Sequence, residues 1–234
     1  MKRADPENFN LWDIIRFFPA WQLSFLRFLR REDNPYPQIT FAAIELLNRV
    51  LTREMRVYEY GAGASTLFFA RRVKEIISTE HNAPWYHQVV EMVRKYHYEN
   101  CHIRLYEPVL DPLLADKDPS DPWSYTSRRG DFHGQFHRGY SFKSYVTSID
   151  DYPDASFDVV LIDGRARSSC FRHAIAKVKV GGYLVWDNTE CPDYLPAIQS
   201  APSYLRSLNL PPGPTPANPH EFGKTSVWVR TGLE

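Results

Sequence analysis

From Val57 to the C-terminus, short β-prone apolar runs alternate with stretches of helical periodicity, and this alternation constrains the fold more than any other feature. Strands are expected at 56–60, 75–79, 102–106, 157–162, 182–186 and 225–230. Helices are expected at 65–73, 84–97, 141–149, 167–179 and 193–200. Strands separated by helices pair in parallel, and a parallel sheet needs both faces covered. The expected architecture is therefore α/β, Rossmann-like and doubly wound. Ligands of such sheets lie outside the carboxyl ends of the strands. Glu59, Glu80, Asp163 and Asp187 all fall at or just past those ends, so they are expected to converge on one crevice.

Upstream, residues 1–50 read as an N-terminal helical extension and residues 51–234 as the main domain. Residues 11–31 have helical periodicity with an aromatic side, and Pro19 is expected to divide them into two helices. These helices are expected to cover the core or the active site, with membrane-surface docking or a homodimer contact as alternatives. Asp13, Arg16, Pro19, Gln22 and Arg27 interrupt the run, so no transmembrane segment or signal core is expected. A further helix is expected from Thr40 to Leu51. Two stretches break the rhythm: an insertion at 111–140, and a Pro-rich loop at 209–222.

Lys and Arg together number 28, as do Asp and Glu, so no bulk field favours nucleic acid, and none is expected as a partner. Three cysteines without a CxxC spacing imply reduced thiols, a cytoplasmic location and no zinc site.

The first turn carries the sharpest chemistry. Glu59-Tyr60-Gly61-Ala62-Gly63-Ala64-Ser65-Thr66 ends a strand in an acid, passes two glycines and opens a helix. Backbone there can approach a ligand closely, with helical N–H groups facing it. Glu80 ends the next strand about twenty residues on, where a ribose-binding carboxylate is expected in nucleotide-binding folds.

With Glu80, Phe157-Asp158-Val159-Val160-Leu161-Ile162-Asp163 and Gly181-Gly182-Tyr183-Leu184-Val185-Trp186-Asp187-Asn188, the chain resembles the class I S-adenosylmethionine-dependent methyltransferases from about Thr40 to Val229. The GAGAST turn and the Ile162-Asp163-Gly164-Arg165-Ala166-Arg167 segment resemble the small-molecule O-methyltransferase branch. The resemblance implies S-adenosylmethionine as cofactor, held by Glu59, Gly61, Ala62, Gly63, Ser65, Thr66, Glu80, His81 and Asp163. Glu59 would take the amino-acid end, Glu80 both ribose hydroxyls, and His81 with Asn82 the adenine.

Methyl transfer is an in-line displacement, so the protein must chiefly position the acceptor and manage its proton. Asp163, His133 and His137 are the candidate bases. Asp163, Asp187 and Asn188 resemble the divalent-metal ligands of catechol-type O-methyltransferases, which implies Mg²⁺; the alternative is that Asp163 lies beside the cofactor or acceptor without metal and Asp187-Asn188 caps the following turn. Those enzymes carry a lysine after the first aspartate, whereas Gly164-Arg165-Ala166-Arg167 stands here. Arg128, Arg129, Arg165 and Arg167 are candidates for binding a carboxylate, phosphate or polyhydroxylated small-molecule acceptor. Trp123, Tyr125, Phe132, Phe136 and Tyr140 are candidates for stacking on a sugar or aromatic ring, with packing of this charged, aromatic loop at a dimer contact as the alternative. Two rivals remain: a nicotinamide-dependent oxidoreductase, disfavoured by the incomplete GxGxxG and the lack of a Tyr-x-x-x-Lys pair, and a catalytically silent binding or scaffold protein.

Overall fold

Val57, Tyr58, Glu59 and Tyr60 are consecutive and all buried, which only the middle strand of a sheet covered on both faces allows. The computed structural model describes residues 11–29, 36–127, 138–216 and 222–232. Its centre is a seven-stranded sheet. Five strands are parallel: β1 (Arg56–Tyr60), β2 (Glu75–Glu80), β3 (Cys101–Leu105), β6 (Phe157–Ile162) and β7 (Val178–Trp186). The order is β3-β2-β1-β6-β7-β11-β8, with β11 (Ser226–Arg230) antiparallel to both β7 and the edge strand β8 (Leu205–Ser207). The four acid-ended strands β2, β1, β6 and β7 are thus neighbours, and the order reverses between β1 and β6.

Alternation along each strand assigns the two faces. Val57, Val159, Leu161 and Val185 pack with α1 (Leu11–Leu29), α2 (Phe41–Val50) and α3 (Ala64–Ala70). Tyr58, Tyr60, Val160, Ile162 and Trp186 pack with α5 (Lys143–Thr147), α6 (Arg167–Ala174) and α7 (Leu195–Gln199). The remaining helix, α4 (Ala83–Lys95), follows β2. Asn82 caps it by accepting a hydrogen bond from Trp85 N at 2.9 Å, and Pro84 stands in its first turn.

Two expectations are corrected. Pro19 does not divide α1, which runs unbroken through it. Pro19 is exposed, as is Ile15 four residues before it, so the ring meets no packed neighbour and the carbonyl it deprives of a donor lies on the solvent side. The last central strand begins earlier than 182, at Val178, because the register slips between Phe157 and Val159. Gly182 makes the bulge possible: a Cβ there would meet the Asp158 and Lys179 carbonyl oxygens at 2.8 and 2.9 Å.

Short strand pairs close the loops. β4 (Val109–Leu110) pairs with β5 (Tyr140–Ser141) at the root of the insertion, and β9 (Gly213–Pro214) pairs with β10 (Phe222–Gly223) across the second Pro-rich loop. Among the described residues no helix is long and apolar enough to cross a membrane.

Candidate functional site

The chain leaves β1 at Tyr60, and the next peptide is pulled sideways. Gly61 N donates to Thr79 O at 2.8 Å and Asp163 N donates to Tyr60 O at 2.9 Å, joining the ends of β2, β1 and β6. Gly61 has φ +95°, and a Cβ on it would stand 2.8 Å from Gly164 Cα. A Cβ on Gly164 would in turn meet the Tyr145 hydroxyl at 1.9 Å. Gly61 is therefore required by the backbone packed against it and Gly164 chiefly by the Tyr145 side chain, before any ligand is considered. Gly63 is different, since a Cβ there would reach only the Trp85 ring, at 3.8 Å.

Alternation along β1 turns Glu59 under α3, and its side chain is fully buried. Its Oε2 accepts from the hydroxyls of Thr66 and Ser78, each at 2.5 Å. The Thr66 hydroxyl also accepts from Gly63 N at 2.9 Å, so one carboxylate ties β1, β2 and the start of α3 together. Burial pushes the Glu59 carboxyl up to about 7, against the opposing pull of the Ser65, Ser78 and Thr66 hydroxyls. Ala62, Ser65 and Thr66 are buried beside it.

Glu80 closes β2 with its carboxylate held by main chain. Oε2 accepts from Ala62 N at 3.2 Å, and Oε1 accepts from His81 N and Asn82 N at 2.8 Å each. The His81 ring packs near Phe142 and Tyr145. Trp85 lies across the glycine turn and donates its indole N–H to Ala62 O at 2.7 Å. Glu80 and the turn after β1 are thus one hydrogen-bonded unit.

At the ends of β6 and β7 stands a cation that sequence reading placed elsewhere. Arg167, expected at the acceptor, is buried at the start of α6. Its guanidinium donates to the carbonyl oxygens of Gly164, Asp187 and Asp163 at 2.9, 2.7 and 3.0 Å. It also lies 3.0 Å from Asp163 Oδ1 and 4.0 Å from Asp187 Oδ2. Asp187 Oδ1 accepts from the Thr225 hydroxyl at 2.6 Å. Burial, followed by the charge of Asp163, pushes the Asp187 carboxyl well above the usual carboxylate range, while Arg167 and Thr225 pull the other way. Desolvation works against the Arg167 charge, but Tyr194, Asp163 and Asp187 more than offset it.

This arrangement does not support the Mg²⁺ expectation. The place between Asp163 and Asp187 where a divalent ion would bind is held by a guanidinium, and a second cation there would be repelled. Asn188 adopts φ +58° and its carbonyl accepts from Cys191 N at 3.0 Å, so it builds the turn after β7. Among the described residues no group of three or more His, Cys, Asp or Glu side chains is placed to hold a metal ion.

The candidate bases His133 and His137 lie outside the described residues, as do Arg128, Arg129, Phe132 and Phe136. Asp163 keeps a side chain about one-fifth exposed, in contrast to Asp187. Trp123 and Tyr125 pack instead against Arg172 at the other end of α6: the Arg172 guanidinium stacks on the Trp123 ring at 3.4 Å and donates to the Tyr125 hydroxyl at 2.7 Å. Tyr140 is half-buried in β5. The roles of Trp85, Tyr145 and Thr225 were missed. Only the four-residue spacing of Asp163 and Arg167 offered a sequence signal for the clamp.

No protein-family model matches the sequence, and no curated protein is similar to it. Solved structures are similar in fold. A Streptococcus mutans protein assigned as a methyltransferase and solved in complex with SAH aligns at TM-score 0.51 and 11% identity, over 80% of this chain and 94% of that one. An rRNA methylase from Streptococcus thermophilus aligns at 0.50 and 13% identity, over 81% and 95%. A SAM-dependent O-methyltransferase from Thermotoga maritima aligns at 0.50 and 12% identity, over 85% and 68%. The strand order, the antiparallel β11 and these alignments establish that the chain has the Rossmann-like fold of class I methyltransferases.

Proposed function

We propose that this protein is an S-adenosylmethionine-dependent methyltransferase acting on a hydroxyl oxygen of a small molecule. The observation that carries the proposal is the Glu80 carboxylate, already oriented by the amides of Ala62, His81 and Asn82 at the seam between the turns after β1 and β2. A ribose diol needs such a pre-aimed double acceptor, and each charge-assisted hydrogen bond is worth about 1.5–3 kcal/mol. Gly63 and the first turn of α3 would receive the methionyl end, with Ser65 and Thr66 beneath and His81 near the base. Glu59 would complement the ammonium from below the turn. Asp163, partly exposed between that turn and α6, would take the acceptor proton. The cofactor supplies an activated methyl group; these residues bind, orient and deprotonate.

The small-molecule acceptor rests on the likeness to an O-methyltransferase and on the balanced charge of the chain. An rRNA methylase shares the fold equally well, so RNA belongs in the acceptor screen.

Calorimetric titration with S-adenosylmethionine, SAH and NAD(H) tests the cofactor. Saturable S-adenosylmethionine binding that weakens roughly 10- to 100-fold in Glu80→Ala, with the variant's melting checked, is the expected result. Binding of NAD(H) alone would transfer the proposal to the oxidoreductase reading. Cofactor binding with no methylation of phenolic, sugar or RNA acceptors would leave a silent binding protein.

A further inference from the structure

The Arg167 clamp has a consequence for what the site can accept. Asp163 and Asp187 end adjacent parallel strands, and their carboxyl groups face the same space. Two carboxylates so placed invite a cation. In a metal-dependent site that cation is exchangeable, keeps open coordination positions and is bridged by two oxygens of a diol acceptor. Here the positive charge is covalent, buried and held by three carbonyl oxygens as well as by Asp163. Every one of these partners belongs to the protein, and a guanidinium has no acceptor or coordination site to offer.

We propose that Arg167 is the resident cation of the crevice between β6 and β7, standing in place of a divalent metal and positioning Asp163 toward the acceptor. The inference rests on the methyltransferase reading only for the identity of the acceptor; the charge argument stands without it. It narrows the substrate class. An acceptor cannot be recognised by chelation through a vicinal diol, so a single hydroxyl, oriented by protein groups and deprotonated by Asp163, suffices. Arg167 is a positioning residue in this account. Arginine keeps its charge at any pH the fold survives, so unlike a lysine at this place it cannot exchange a proton with the acceptor.

The test uses the full chain and is independent of turnover. Mn²⁺ alone is titrated into the protein, with and without SAH, and binding is read from the loss of the free-ion paramagnetic resonance signal. Melting is followed in Mg²⁺ and in chelator for the wild type, Arg167→Met, Asp163→Asn and the double variant. The wild type is expected to show no saturable Mn²⁺ site and the same melting temperature in Mg²⁺ and chelator. Arg167→Met is expected to melt lower, and Asp163→Asn on that background to recover part of the loss, because the carboxylate charge that the guanidinium had balanced is then gone. If Arg167→Met does not fold, recovery of a cooperative transition in the double variant supports the proposal in the same way. A stoichiometric Mn²⁺ site in the wild type, or a double variant no more stable than Arg167→Met, overturns it. Failure of the methyltransferase reading would appear separately, as absence of SAH binding by calorimetry. Arg167→Lys adds a readout that packing alone would not move. If the fixed charge positions Asp163, Arg167→Lys, which keeps a cation there, retains the wild-type carboxyl NMR resonance of Asp163 and regains part of the melting temperature, where the methionine variant does neither; equal behaviour of lysine and methionine overturns the positioning role.

Discussion

Single residues near the first turn are explained by backbone geometry and burial before ligand binding enters. Gly61 and Gly164 touch across the ends of β1 and β6, so their lack of side chains is a condition of the sheet closing. Glu59 shows how one acid serves the fold at a cost that depends on pH. Its carboxyl rises from an ordinary 4.5 to about 7, so the folded chain holds a proton that the unfolded chain has released. Its contribution is therefore most favourable below pH 4.5, declines as pH rises toward 7, and is a constant penalty of about 3 kcal/mol above that. Glu59→Gln is expected to flatten the fall in stability between pH 5 and 8, measured by urea denaturation at both ends of that window. An unchanged slope would mean that Glu59 is solvated as the carboxylate in the native state.

At the scale of elements, α6 works at both ends. Its start holds Arg167, and its end holds Trp123 and Tyr125 of the insertion. His173 Nδ1 lies 2.7 Å from Asp150 Oδ2, and its Nε2 accepts from the Arg172 guanidinium at 2.6 Å. That pattern fixes the neutral tautomer with the proton on Nδ1. Arg172 in turn holds Trp123 and Tyr125. Burial lowers the His173 pKa, Asp150 opposes this and Arg172 adds to it. Because the folded value lies below the unfolded one, the clasp is whole above about pH 6.5 and weakens as pH falls below it. Hydrogen exchange of residues 121–127, corrected for its intrinsic pH dependence, is expected to lose protection between pH 7 and 5. His173→Gln should abolish that pH dependence, and a wild type with constant protection would refute the clasp.

Across the whole molecule, the N-terminal extension is wired to the candidate site. Thr40 N, at the start of α2, donates to the Thr225 hydroxyl at 2.9 Å, and that hydroxyl donates to Asp187 at 2.6 Å. One side chain beside β11 thereby joins residues separated by most of the chain. Thr225→Val would leave a buried amide and a buried carboxyl oxygen without partners, and a loss of roughly 1–3 kcal/mol per group is expected by chemical denaturation. The same variant should weaken SAH binding less than Glu80→Ala does, since it acts through Asp187 at a distance.

What the sequence determined by itself is the α/β alternation, the positions of the central strands and the acids at their ends. These follow from local periodicity and from turn chemistry written into adjacent residues. Glu80 beside the glycine turn was readable for that reason, because spacing along a βαβ unit sets distance in space. The continuity of α1 through Pro19 was not readable, because it depends on which side of the helix faces solvent. Arg167 was recognised as a cation but assigned to the acceptor; its partners at Asp187 and Gly164 are decided by how β6 and β7 align. Trp123 and Tyr125 were likewise assigned to a ligand; the fold sets both against Arg172 of α6, with Trp123 left exposed. Tertiary structure alone decided whether each charged or aromatic side chain faces the crevice or another part of the protein. A buried charge must find its counter-charge wherever the fold brings one near, and sequence separation does not limit that choice.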